Sequence, residues 1–274
     1  MIPAPFAYSR ARSLEEAISL LAEKGDEAKL LAGGHSLLPL MKLRLATPEV
    51  LVDIGRLADL SYVREEDGVI AVGALTTHDT ASRDQLLREK VPVFAHVAGQ
   101  IGDPQVRHRG TVGGSVAHGD AASDLPAVLL ALGGSVIAAG PSGRREIQAS
   151  ELHLGFLETA LEPGEVLVEL RLPIPERPSF GFEKLTKRAQ DWAIVGAVAV
   201  WRHGGLGVGL INMGSVPLRA AALEEALAGG ASPREAAERA DEGTEPSADL
   251  NASAEFRRHL ARVLSRRALE RALA

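Results

Sequence analysis

Two glycine-rich segments hold the residues best suited to chemistry in this 274-residue chain: Ala32, Gly33, Gly34, His35 and Ser36, and then Gly110, Thr111, Val112, Gly113, Gly114 and Ser115. Paired glycines reach backbone conformations closed to other residues, so consecutive N–H groups can point into one concavity. The missing side chains also let a ligand approach the main chain. One such concavity suits a phosphate, and two suit a pyrophosphate, with the hydroxyls of Ser36, Thr111 and Ser115 as further donors. A pair of ordinary tight turns is the alternative reading, and the matching composition of the two loops weighs against it. Neither GxxxxGK[ST] nor a strand–GxGxxG–helix unit occurs, so a dinucleotide would have to bind in some mode other than the P-loop or Rossmann ones.

Other constellations fall short of a site. Asp103 and His108 in IGDPQVRHR, with His118 and Asp120 in VAHGDAASD, match no standard metal-ligand spacing. No GxSxG elbow occurs, so no hydroxyl nucleophile has an assignable base. Neither a catalytic residue nor a metal is expected. The absence of cysteine removes disulfides, thiol nucleophiles, iron–sulfur clusters and Cys-ligated zinc together. Electrons passing through such a chain need a different carrier.

The elements that must position the two loops follow from apolar periodicity. Ser13 and Glu16 have capping-box spacing and predict a helix to Lys24. A short apolar segment, Ala28 to Ala32, runs into Gly33 and Gly34, and strands are predicted at Val50 to Ile54 and Val69 to Ala74. Two helical stretches broken at Pro92 lie between Thr76 and Gln100, and Ile101 to Asp120 reads as an ordered functional loop. A helix over Asp124 to Leu132 stops at Gly133 and Gly134, before strands at Ser135 to Ala139, Arg145 to Gln148 and Val166 to Leu172. Three prolines between Pro173 and Pro178 mark the expected domain division. It separates residues 1–177, with subdomains of about 1–55 and 56–177, from residues 178–274. The latter read as three antiparallel strands (Gly181 to Lys187, Ala193 to Arg202, Leu206 to Met213) and then helices at Leu218 to Leu227, Pro233 to Ala240 and Ala254 to Leu273. The fold class is α+β.

Composition bounds the function. With 46% hydrophobic and 24% charged residues the chain is expected to fold, and 30 Lys and Arg against 36 Asp and Glu leave a net charge of -6, which offers nucleic acid or an anionic membrane no global attraction. The longest apolar runs, Leu125 to Leu132 and Ala193 to Trp201, fall short of the roughly 20 residues of a membrane helix. MIPAPFAYSR has no basic stretch leading into an apolar region, so a cytoplasmic protein is expected.

The segments LLAGGHSLLPLMKLRLATPEVLVDI and GDPQVRHRGTVGGSVAHGDAASDLPAVLLAL resemble the FAD-binding medium subunits of molybdenum hydroxylases, the carbon monoxide dehydrogenase and xanthine dehydrogenase group, and the likeness extends over nearly the whole chain. The resemblance implies a two-part FAD-binding domain of the vanillyl-alcohol-oxidase type, followed by a small α+β domain with a three-stranded antiparallel sheet. It implies that Ala32 to Ser36 and Thr111 to Ser115 hold the FAD pyrophosphate through main-chain contacts. Asp124 would contact the cofactor near its ribityl hydroxyls, and Leu167 and Lys184 would close around the isoalloxazine ring. Capping alone would explain Asp124, a core strand Leu167, and an exposed strand charge Lys184. Trp192 stands where related chains often carry tyrosine, and could pack beside the flavin or belong to the core or rim.

His35 occupies a Gly-Gly-His loop of the kind that binds FAD covalently in some oxidases of the wider fold; the resemblance implies noncovalent binding here. It further implies three partners: a molybdopterin-containing large subunit that oxidises the substrate, a [2Fe–2S] small subunit that relays electrons, and an acceptor such as quinone, oxygen or NAD. An independent FAD-dependent oxidase and a non-redox nucleotide-binding scaffold are the competing readings. The last helix sets Arg257, Arg258, Arg262, Arg266, Arg267 and Arg271 against Glu255 and Glu270 only, which suits either a docking surface or a solvated face.

Overall fold

The computed structural model describes residues 2–274. Ser13 accepts a hydrogen bond from the Glu16 amide and opens α1 (Leu14–Lys24), whose Ala17 and Leu21 are buried. This helix covers a parallel sheet in the order β1 (Ala7–Arg10), β3 (Val50–Asp53), β2 (Ala28–Leu31). The first glycine loop leaves the end of β2 and enters α2 (Leu37–Leu43).

A second sheet follows. β4 (Val63–Glu66) and β5 (Val69–Gly73) precede a run of helices: α3 (His78–Arg83), α4 (Gln85–Lys90), α5 (Pro92–Ala98), α6 (Pro104–Arg109), α7 (Val112–Ala117) and α8 (Asp124–Leu132). Then come β6 (Ser135–Gly140), β7 (Gly143–Gln148), the short α9 (Ala149–Leu152), the hairpin β8 (His153–Gly155) and β9 (Glu158–Thr159), and β10 (Val166–Pro173). β10 returns to the centre of an antiparallel sheet ordered β4-β5-β10-β6-β7. Its alternation makes one wall serve two cores: Leu167, Leu170 and Leu172 pack with the helices, and Val166 and Val168 pack under the parallel sheet. A register shift between Leu167 and Glu169 lets both sets be satisfied on one strand.

The remaining elements are β11 (Phe180–Leu185), β12 (Val195–Arg202), β13 (Gly205–Ile211), β14 (Leu218–Arg219), α10 (Ala221–Ala228), α11 (Pro233–Ala237) and α12 (Ala254–Leu273). Their antiparallel sheet is covered on both faces. Val198 and Val200 of β12 join the core around α8, while Val195, Ala197 and Ala199 join the core under α12. Every residue of α8 is buried, because this helix lies against the β12–β13 face while also packing on α5. Glycine permits the close approach: a Cβ on Gly207 or Gly209 would overlap the carbonyl oxygens of Ala131 and Ala127 in α8, and one on Gly181 would overlap that of Ala268 in α12.

Three expectations are corrected. The last sheet has four antiparallel strands, not three, since Leu218 and Arg219 pair with Leu210 and Gly209 and the helix begins only at Ala221. A two-residue strand carries no periodicity of its own, and its leucine was absorbed into the helical pattern that follows. The segment from Ile101 to Asp120 is not one loop, because Asp103 caps α6, with Pro104 in its first turn, and Thr111 caps α7. Between Thr76 and Gln100 there are three helices, and Pro92 opens the third of them.

Three of the arginines of α12 are engaged by groups outside the helix. Arg257, almost wholly buried, donates to Asp249 at 2.8 Å and to the Ile194 carbonyl; Arg262 meets Asp241 at 2.7 Å and Arg271 meets Glu183 at 2.8 Å. These carboxylates lie off the helix, so the tertiary fold supplies counter-charges that α12 itself lacks. Among the described residues, no helix is long and apolar enough to cross a membrane.

Gly209→Ala should destabilise the fold by about 1–3 kcal/mol, because the added methyl must push β13 away from α8. A lower thermal midpoint by circular dichroism is the expected result; an unchanged midpoint would show that the contact can relax without cost.

Candidate functional site

The two glycine loops cross. A Cβ on Gly33 would overlap the Arg109 carbonyl oxygen and lie 2.9 Å from the Gly110 Cα, so the first loop rests directly on the backbone of the second. The second loop is in turn stitched to the linker between β5 and α3. Val112 N–H donates to the Thr76 carbonyl at 2.9 Å, Gly113 N–H to Ala74 at 2.9 Å, and Thr77 bridges Thr111. Within the loop, Gly114 N–H donates to Thr111 Oγ1 at 3.2 Å and Ser115 N–H to the Thr111 carbonyl at 3.0 Å.

The two loops therefore differ in kind. The amides of Val112, Gly113, Gly114 and Ser115 already have acceptors, so the expectation that both loops present free donors is corrected for the second. Its glycines serve close packing: a Cβ on Gly113 would overlap Ala74. In the first loop, among the described residues, no carbonyl accepts from Gly33, Gly34, His35 or Ser36. Gly34 has φ +78°, a left-handed conformation that turns the chain so that this run of donors forms. Unpaired consecutive amides are an anion cradle.

Both loops line one cavity of about 780 Å³, within the range of small-molecule sites. Its lining takes in Ala32, Gly33, Gly34, His35, Ser36, Gly110, Thr111, Gly113, Gly114 and Ser115. Asp124 at the start of α8, Leu167 on β10, Lys184 on β11 and Trp192 between β11 and β12 complete the expected set. The structure thus brings together all the residues singled out from the sequence except Val112, whose side chain is buried in the core. Trp192 is 55% exposed at the cavity wall.

Asp124 and Lys184 form a buried ion pair, Nζ to Oδ2 at 2.7 Å. Lys184 also reaches the Gln100 carbonyl at 3.4 Å, while Asp124 Oδ1 is buried without a partner. This overturns the exposed-charge reading of Lys184, whose side chain is 8% accessible. Burial pushes the Asp124 carboxyl up from its ordinary value, and the Lys184 ammonium pulls it back in part.

Asp103 turns out to cap α6, accepting from the Val106 amide, Asp120 closes a turn by accepting from the Ala122 amide, and His108 bonds the Pro104 carbonyl. Among the described residues no cluster could hold a metal. Sequence reasoning missed His78, Gln190 and Asp191, which also line the cavity. His78 sits in the polar run Thr76-Thr77-His78-Asp79-Thr80, and nothing in that run signals that its ring is buried.

Comparison with known proteins agrees over the full length. A family model described as the FAD binding domain in molybdopterin dehydrogenase matches residues 4–175, and one described as the CO dehydrogenase flavoprotein C-terminal domain matches residues 180–272. The carbon monoxide dehydrogenase medium chain of Hydrogenophaga pseudoflava is 39% identical over 284 residues, covering 100% of this chain and 99% of that one. The nicotine 6-hydroxylase medium subunit of Paenarthrobacter nicotinovorans is 35% identical, covering 96% and 95%. Among solved structures, a chain of the H. pseudoflava carbon monoxide dehydrogenase lacking the Mo-pyranopterin moiety superposes with a TM-score of 0.94 at 40% identity, over 100% of this chain and 99% of that one. A chain of quinoline 2-oxidoreductase from Pseudomonas putida 86 gives 0.91 at 32% identity, with the same coverage.

Lys184→Met should cost about 3–5 kcal/mol at neutral pH by leaving the Asp124 carboxylate buried and alone. With its pKa raised above that of the unfolded chain, Asp124 retains a proton in the native state that the unfolded state has released. Stability is therefore lost as pH rises from the unfolded value through the raised one, and removal of Lys184 widens that window. Thermal midpoints at pH 5 and pH 8 should show a larger deficit at pH 8, recovered in part by Asp124→Asn in the same chain. Equal deficits at both pH values would rule out the carboxylate as the cause.

Proposed function

The chain belongs to the family of FAD-binding medium subunits of molybdenum hydroxylases, and from that premise we propose that it passes electrons from a [2Fe–2S] subunit through FAD to an external acceptor, while a molybdopterin-containing large subunit oxidises the substrate. FAD is its cofactor, and the chain is an oxidoreductase subunit. The observation that carries the reading is the run of carbonyl-free amides from Gly33 to Ser36, in the same cavity as the half-satisfied Asp124.

The residues present fit a flavin dinucleotide. The first loop offers consecutive N–H donors to pyrophosphate oxygens, while the absence of a side chain at Gly33 lets it seat directly on the backbone of the second loop. Asp124 Oδ1, buried and without a donor, suits a ribityl hydroxyl, which would remove the cost of leaving it unpaired. Lys184, fixed on Asp124, and Leu167, fixed on β10, close the cavity wall where the isoalloxazine ring is assigned, and Trp192 adds an aromatic surface beside it. Val112 to Ser115 take a different role from that first expected: with their amides engaged, they form a rigid wall against which the first loop is held, and the Ser115 hydroxyl stays available as a donor. His35 belongs to the cradle by its backbone, and noncovalent binding is assigned.

Bound FAD supplies the electron-carrying chemistry, which no side chain of this cysteine-free protein provides. The protein's part is to bind, to orient and to set the field around the cofactor. The external acceptor is a quinone, oxygen or NAD. We place the division between the FAD-binding domain and the C-terminal α+β domain in the proline-rich segment, giving residues 1–177 and 178–274.

Acid precipitation of the purified protein should release its yellow colour into the supernatant; colour kept in the pellet would point to a covalent link, with His35 the first residue to replace. The flavin-loaded chain alone should oxidise no carbon substrate, and turnover should appear only on assembly with the iron–sulfur and molybdenum subunits. Turnover by the isolated chain at a rate comparable to that of the complex would overturn the electron-relay role.

A further inference from the structure

We infer that His78 is an additional binding residue of the cofactor site, held as the Nε2–H tautomer behind the crossing of the two glycine loops and donating to an anionic oxygen of the FAD diphosphate. The inference rests on the reading of the cavity as the FAD site and adds to it a side-chain donor.

The placement comes from three stacked contacts. Gly33 rests on Gly110, and Gly110 rests on the His78 ring: a Cβ on Gly110 would lie 2.9 Å from Cδ2 and 3.1 Å from Nε2. The His78 amide meanwhile donates to the Gly110 carbonyl at 3.0 Å, so backbone and ring are both fixed to the second loop. The ring is 4% exposed and belongs to the cavity lining.

Its nitrogens are not equivalent. Nδ1 is buried without a partner, whereas Nε2 lies on the side of Gly110, a cavity-lining glycine. A neutral imidazole carries one N–H and one acceptor nitrogen. An anionic oxygen in the cavity needs a donor, which places the proton on Nε2 and leaves Nδ1 as the bare acceptor. That is the cheaper arrangement, because orphaned buried N–H groups are rarer than under-satisfied acceptors.

The ring meets this task uncharged. Burial lowers its pKa to about 4, and His35 and Arg107 nearby push in the same direction. The Arg107 guanidinium favours an anion close to the ring. Arg107, whose guanidinium donates to the Ile101 and Gly102 carbonyls at 3.1 Å, is held in place to do so. A local concentration of histidine and arginine at the loop crossing, in a chain of net charge -6, is what a diphosphate would find attractive.

The test uses the full chain stripped of flavin, with FAD and riboflavin as probes and flavin fluorescence as the readout. Riboflavin lacks the phosphates. In His78→Ala, FAD affinity should fall about tenfold or more, as for loss of a hydrogen bond to a charged group, with riboflavin affinity unchanged. An unchanged FAD affinity, or an equal fall for both flavins, would overturn the inference, the second by showing a merely structural role. A wild-type chain that binds neither flavin would instead bring down the FAD reading itself, and this inference with it. A second measurement needs no variant: nitrogen-15 spectra of the histidine rings in the FAD-bound wild-type protein should show His78 protonated at Nε2. Protonation at Nδ1 would overturn the assignment.

Discussion

The contact on which the site depends is one of backbone against backbone, where Gly33 lies on the Arg109 carbonyl and the Gly110 Cα. Two chain segments, one leaving a parallel sheet and one joining two short helices, meet there with no side chain between them. The closeness constrains everything around it. The second loop must spend its amides on Thr76, Ala74 and Thr111 to stay rigid, and the first loop keeps its amides unspent. Similar glycine content therefore produces opposite roles, because hydrogen-bond donors are finite and each can be committed once.

Around that crossing the molecule is arranged in layers joined by two shared elements. β10 faces the helical core on one side and the parallel sheet on the other, so the two parts of the FAD-binding domain have a common wall. α8 plays the same part toward the C-terminal sheet: buried over its whole length, it packs against β12 and β13 where Gly207 and Gly209 let the backbones approach. The C-terminal sheet contributes to the cavity as well as to the core. Lys184 on β11 reaches Asp124 at the head of α8, which makes the cavity wall a joint product of both domains.

Electrostatics at this junction is local. The Asp124–Lys184 pair is removed from solvent, so its partners depend on one another for stability in a way that surface pairs do not. The arginines of α12 illustrate a similar economy at the opposite face of the C-terminal sheet. Arg257, Arg262 and Arg271 are committed to Asp249, Asp241 and Glu183, so half of the arginines of this basic helix find their counter-charges elsewhere in the fold.

Periodicity and capping residues alone determined most of the local structure: Ser13, Ser232 and Ser253 each head the helix expected of them, and the strands at Val50, Val69, Val166 and Val195 lie within runs of apolar residues. The motif segments also carried the family, the cofactor and the glycine-loop residues of the cavity, since glycine pairs and their flanking residues are legible without coordinates. What a linear pattern does not hold is which donors and charges are left over once the chain has folded. That the second loop's amides are satisfied by Thr76 and Ala74, that Lys184 is buried on Asp124 60 residues away, that the His78 ring packs on Gly110 at the cavity wall, and that Leu218 and Arg219 add a fourth strand were all decided by tertiary structure. The physical reason is common to them: hydrogen bonding and burial are properties of pairs brought together by the fold, and neither partner alone bears the mark of the other.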